Sequence, residues 1–284
     1  MQAELSRKRR RISHVRHKLI AFLLGFANLL VAAAPAVGIQ VLLRGRLPDL
    51  VGLAAGTAVL FILYIAGSRW IERRKPVELA PGGRQILQGF VLGFLLFACV
   101  MGILAACGAY RVSGATNWRT LAFGLPLALL AAIFEELLFR GFLFRIFAIL
   151  GGNWVGLAVT AGLFGLAHKA NPNATLFSSV AIAIEAGILL GAAYAASGSL
   201  WLPIGIHAGW NFTEGSVFGT AVSGTHQTTG VLTGNLHGPT ILTGGAFGPE
   251  ASIVAIAVCL VPAIYYLYRM PNLPRSSSNR QSIS

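Results

Sequence analysis

Charged residues are scarce in this chain: 11% of its 284 residues, against roughly 25% in soluble globular domains. Only nine are acidic. With 55% hydrophobic residues and a mean hydropathy of +0.71, that scarcity excludes an ordinary soluble domain and predicts an all-α, polytopic transmembrane helix bundle. Cysteine is also rare. Cys99, Cys107 and Cys259 lie in apolar runs without metal-ligand spacing, so neither a disulfide framework nor a zinc cluster follows, and they read as packing residues. G-x-S-x-G, H-E-x-x-H and any internal repeat are missing too, which argues against a serine hydrolase elbow, a zincin helix and a repeat-built transporter.

What charge there is has one sign, a net +13. The basic residues fall in short runs beside apolar stretches, such as RKRRRISHVRHK (7–18) and ERRKP (72–76). That is the positive-inside pattern of a membrane protein, and it calls for the lipid bilayer and no nucleic acid as partner. The apolar run 19–43 is too long for a signal-peptide core and reads as a membrane span.

Scanning for windows of about 20 apolar residues gives eight spans, near 19–43, 50–71, 86–110, 120–150, 153–169, 174–197, 199–214 and 249–269. The N-terminal tail, the 72–84 loop, the turn after Arg145 and the tail after Arg269 then share the cytoplasmic side, with Arg44, Arg46, Arg111 and Arg119 opposite. The Gly/Thr-rich stretch 218–250 lies outside as a loop or a partly re-entrant cap, with His226 and His237 as solvated loop histidines. The expected organisation is a basic tail (1–18), two N-terminal helices and a basic loop (19–84), a core (85–270) and a disordered tail (271–284). Small-residue pairs Gly89/Gly93, Gly187/Gly191 and Gly205/Gly209 mark close helix contacts.

Six of the nine acidic residues, Glu214 and Glu250 among them, fall in tails, loops or span edges. Glu135, Glu136 and Glu185 fall within apolar helix, where an ionised group costs about 2.5–3.5 kcal/mol even on a lenient scale, so each is a functional candidate. The fourth and fifth spans meet at a turn near 151–152, and Glu135 and His168 lie equally far from it, hence at one depth in an antiparallel hairpin. The next hairpin turns at 197–199 and sets Glu185 level with Asn211, while His207 shares a helical face with Asn211 at i,i+4. Glu135, Glu136, His168, His207 and Asn211 thus converge on one buried cavity.

A carboxylate that activates water, a histidine that moves protons and a His/Asn pair that stabilises an oxyanion are the parts needed for peptide-bond hydrolysis without an enzyme nucleophile. Zinc held by His168, His207 and a Glu is the rival chemistry; the absence of H-E-x-x-H and the separation of the histidines favour no cofactor. Glu136 pairs with Arg140 at i,i+4 or acts as a charged neighbour of Glu135. Arg140 reads as a structural partner or a snorkelling group, Arg145 and Lys169 as interface anchors, Phe164 as an apolar wall, and Glu185 as a group orienting His207 or Asn211 or a buried acid.

At these residues the chain resembles the CPBP family of intramembrane proteases, which includes type II CAAX prenyl endopeptidases and bacteriocin-immunity proteins. E-E-x-x-x-R is matched by Glu135, Glu136 and Arg140, F-x-x-x-H by Phe164 and His168, and H-x-x-x-N by His207 and Asn211. The resemblance implies an intramembrane endopeptidase in which Glu135 activates water with His168 while His207 and Asn211 hold the oxyanion. It also implies a peptide or membrane-protein substrate and a multi-pass location, and the short loops and compact size point to a bacterial cell membrane. The competing readings are a membrane scaffold or immunity protein that binds without cutting, and a proton-coupled transporter.

Overall fold

The apolar windows fold as helices because a chain in lipid must satisfy its backbone hydrogen bonds internally. The computed structural model describes residues 2–43, 48–116, 118–225 and 230–272, without the side chains of 2–16, 18 and 49. Arg44, Arg46, His226, the basic side chains before residue 17 and the tail from 273 lie outside the described residues. Helix α1 (Gln2–Leu43) and α2 (Asp49–Trp70) form an N-terminal pair, followed by α3 (Gly83–Ala106). Helix α4 (Thr120–Glu136) runs through a π-helical segment, Leu137–Phe144, into α5 (Arg145–His168). The next pass joins α6 (Leu176–Ile182), a π-helical segment Ala183–Ile188 and α7 (Leu189–Ser197). Helix α8 (Trp201–Phe212) ends in a third π-helical segment, Thr213–Val217, and the short α9 (Thr240–Thr243) precedes α10 (Ile253–Arg269).

Among the described residues, five helical stretches are long and apolar enough to cross a membrane: 19–43, 50–70, 83–106, 120–168 and 176–197. The fourth is two passes. Its helix breaks at Gly151 and Gly152, and Gly152 sits at φ 81°, a conformation glycine adopts without strain, so α5 folds back on the segment before it. Helices α8 and α10 are shorter, at 12 and 17 residues. Large apolar side chains face outward along α1, α3 and α10, the inverse of a soluble protein and the arrangement lipid requires.

The 72–84 loop, Arg145 and the start of α8 gather at one end of the bundle: Arg145 bonds Glu72, and the Leu200 amide donates to the Glu78 carbonyl. At the other end, β1 (Tyr110–Ala115) and β2 (Leu232–Leu236) pair antiparallel, Tyr110 opposite Leu236, with an irregularity between Val112 and Gly114. That small sheet is an addition to the expected all-helical chain, and it ties the 218–250 stretch down as a cap. The bundle is all-α within the apolar region.

Candidate active site

Helix α8 is the element that sets the site, and glycine sets α8. Gly89 and Gly93 of α3 face Gly205 and Gly209 of α8 so closely that a methyl on any of them would overlap a backbone carbonyl of the other helix, from Leu202, Ile206, Ile86 or Phe90. Two backbones in direct contact fix the helix that carries His207 and Asn211 with little play.

The fold-back at Gly151–Gly152 brings the end of α5 beside α4, and there the hairpin expectation is met. Glu135 Oε2 lies 4.0 Å from His168 Nε2 and 4.0 Å from His207 Nε2. This oxygen is buried and has no hydrogen-bond partner, while the Glu135 side chain as a whole is 30% exposed. His168 Nδ1 donates to the Phe164 carbonyl at 2.8 Å, because a carbonyl can only accept. In the neutral ring Nε2 is therefore the free basic nitrogen, and it faces Glu135.

Glu136 turns the other way. Its side chain is fully buried, and Oε1 accepts from Arg140 Nη1 at 2.8 Å and lies 3.0 Å from His207 Nδ1. The carboxylate thus holds His207 by one nitrogen and points its Nε2 at Glu135, as a carboxylate orients a histidine in other hydrolytic sites. Arg140 is also fully buried, which excludes snorkelling. Its Nη2 donates to the carbonyls of Ala186 and Gly187, 3.2 Å each, in the π-helical segment of the sixth pass, and its guanidinium lies 4.6 Å from the Phe164 ring centroid. Phe164 in turn packs on His168 (4.6 Å) and His207 (6.1 Å). Phe164 is more than an apolar wall: it is the spacer that holds both imidazoles.

Two cavities meet at this cluster. The larger, about 460 Å³, runs along α4 from Glu135 through Leu127 to Phe123 and Thr120, with His168, Asn171, Asn211, Ser216 and Thr225 on its other sides. The smaller, about 30 Å³, is bordered by His168, His207, Asn211, Glu185, Ser223 and Glu250. Asn211 lines both, on the same face as His207, as the i,i+4 spacing predicts. Among the described residues, Glu185 forms no hydrogen bond with His207 or Asn211; it accepts from the Cys259 thiol at 3.6 Å.

Glu214 and Glu250 correct the sequence reading more sharply. Placed in a loop or at a span edge, they are 0% and 2% exposed, because the π-helical segment after α8 and the 3₁₀ turn Pro249–Ala251 fold the ends of the cap inward. Ser223 reaches both cavities from the same cap. The Thr-Glu pair at the end of an apolar helix was the available signal. Arg145 is likewise more than an edge marker, since it forms a bidentate pair with Glu72 at 2.6 and 2.9 Å.

Among the described residues, no group of three or more His, Cys, Asp or Glu stands at metal-holding separation. Each imidazole already commits Nδ1 to a protein partner, and both Nε2 atoms are 4.0 Å from the unpartnered Glu135 Oε2. That spacing suits a water molecule hydrogen-bonded among the three groups.

Residues 117–213 match the family model described as type II CAAX prenyl endopeptidase Rce1-like. No curated protein and no solved structure matches the chain. The matched segment contains all three motifs and the helices α4 to α8 that carry Glu135, His168, His207 and Asn211. The stretch that builds the site is therefore the part of this multi-pass membrane protein that is similar to the type II CAAX prenyl endopeptidases, a likeness that covers residues 117–213.

Proposed function

We propose that this chain is an endopeptidase that hydrolyses a peptide bond of a peptide or membrane-protein segment with water activated by Glu135. The observation that carries the reading is the single unsatisfied oxygen of Glu135, 4.0 Å from two imidazole nitrogens at the inner end of a 460 Å³ cavity. A carboxylate with a free lone pair, flanked by two groups that move or hold protons, is a general base awaiting its substrate.

In the mechanism, water sits between Glu135 and His168. Its proton goes to Glu135 as its oxygen bonds to the carbonyl carbon, and the oxyanion that forms takes hydrogen bonds from His207 Nε2 and Asn211. Glu136 supports the charge on His207, with Arg140 fixing Glu136 in turn. The proton then passes by His168 to the amide nitrogen as the C–N bond breaks. Removing one oxyanion donor of this kind costs about 10²–10³ in kcat. The larger cavity, with Phe123 and Leu127 apolar and hydroxyls from Thr120, Ser216 and Thr225 opposite, accepts a chain segment beside Glu135.

The test is cleavage by purified protein of an internally quenched peptide library. Glu135→Gln keeps the shape and removes the base, so it is expected to lower kcat/KM by ~10²–10⁴ without loss of folding. An unimpaired Glu135→Gln protein contradicts the reading and favours a scaffold. Activity lost to a chelator and restored by Zn²⁺ contradicts the metal-free mechanism.

A further inference from the structure

Behind His168 lies a second acidic pair that the mechanism above does not use. Glu214 and Glu250 are 0% and 2% exposed, and their carboxyl groups lie against each other. Both oxygens of Glu214 and Oε1 of Glu250 lack a hydrogen bond of good geometry, and among the described residues no Lys or Arg forms an ion pair with either. Two carboxylates this close in a dry environment repel each other, so ionising both at once is disfavoured.

Glu250 and His168 border the cavity of about 30 Å³, while Glu135 and His168 border the larger one, so the His168 imidazole is a wall common to both. The small cavity has room for an ordered water, which needs about 10–15 Å³ and two to four polar partners. It offers them: Glu250, Ser223, and the buried, unpartnered indole N–H of Trp210. The π-helical segment that buries Glu214 is of the same kind as the one that carries Arg140, and such segments cluster at functional sites.

We propose that Glu250, backed by Glu214, is a positioning residue for His168, acting across the small cavity that both border. The inference rests on the endopeptidase reading. While His168 carries the proton from Glu135 to the leaving nitrogen, the Glu250–Glu214 pair supplies the opposing charge on the side away from substrate. The other ionisable groups around this ring are Glu135, Glu185 at the small cavity, His207 beside the Phe164 ring, and Arg140 beyond that ring.

The test uses the full chain in detergent micelles with Glu250→Gln, Glu250→Asp and Glu214→Gln. On an internally quenched peptide that the wild type cleaves, Glu250→Gln is expected to lower kcat about tenfold, less than the ~10²–10⁴ of a direct proton carrier, with KM within about twofold. Glu250→Asp restores most of the rate, and Glu214→Gln, a variant that keeps the fold if Glu250→Gln does not, shows a smaller loss in kcat. Independently of cleavage, ¹⁵N-histidine spectra, assigned with His168→Gln, are expected to show the His168 signals moving in Glu250→Gln while those of His207 stay. Unmoved His168 signals, or kcat equal to wild type, overturn the proposal. If Glu135→Gln retains cleavage, the endopeptidase mechanism fails instead, and the spectra still decide whether Glu250 acts on His168.

Discussion

Glu72 and Glu135 are both glutamates set among basic side chains in the same bundle, and their oxygens are used in opposite ways. Glu72 accepts four hydrogen bonds: from Asn28 (2.6 Å) and Arg145 (2.9 Å) on Oε1, and from Arg74 (2.9 Å) and Arg145 (2.6 Å) on Oε2. Arg74 continues the network to Glu78 and Ser68, and Glu78 accepts from Tyr64. These bonds tie α1, α2 and the 72–84 loop to α5. Glu135 Oε2, also buried, accepts none and faces two imidazoles at a water's distance. A saturated carboxylate has no lone pair left for a reactant and acts as a clasp. An unsatisfied one carries a desolvation cost that only a ligand or water offsets, which marks it as chemical.

That contrast can be broken from either side. The largest loss of stability is expected for Arg140→Ala, which leaves Glu136 as an uncompensated buried charge at a cost of about 3–5 kcal/mol. Thermal unfolding in detergent checks it, and Arg140→Met is expected to be no milder because the carboxylate stays unpaired. Next comes Asn211→Ala, which is expected to lower kcat by about 10²–10³, or about 2.7–4 kcal/mol, with the melting temperature nearly unchanged. Glu72→Gln weakens charge-assisted hydrogen bonds worth about 1.5–3 kcal/mol each, so the melting temperature falls while kcat for the surviving folded protein holds.

The smallest effect is the pH dependence of the clasp. Burial pushes the Glu72 carboxyl up, but hydrogen bonds and charge from Arg145 and Arg74 outweigh it and hold the group at about 2, against its usual 4.5. The folded value lies below the unfolded one, so the stabilisation is complete above about pH 4.5 and is lost as pH falls towards 2. After allowance for solvent screening it amounts to about 2 kcal/mol. Melting curves between pH 6 and 3 are expected to fall less steeply for Glu72→Gln than for the wild type.

The convergence of Glu135, His168, His207 and Asn211 was legible in the sequence because their placement follows from short-range geometry. One turn at Gly151–Gly152 sets Glu135 level with His168, and one helical turn puts His207 over Asn211. Glu136 was left between two roles that only the position of His207 distinguishes. The clasp was not legible, because Glu72 and Arg145 meet only when the N-terminal helix pair docks on the core. Nor was the burial of Glu214 and Glu250, since a Gly/Thr-rich stretch carries no periodicity to show that its two ends turn inward. The β1–β2 pairing escaped for the same reason: strands far apart in the chain announce no partner.

The most direct measurement sets Glu135→Gln beside Glu72→Gln, with kcat/KM on the quenched peptide and the melting temperature recorded for both. The account predicts a crossed result: Glu135→Gln loses cleavage by at least ~10² and melts as the wild type does, whereas Glu72→Gln melts lower and cleaves normally when folded. Equal losses of stability in the two proteins, or full cleavage by Glu135→Gln, would contradict it.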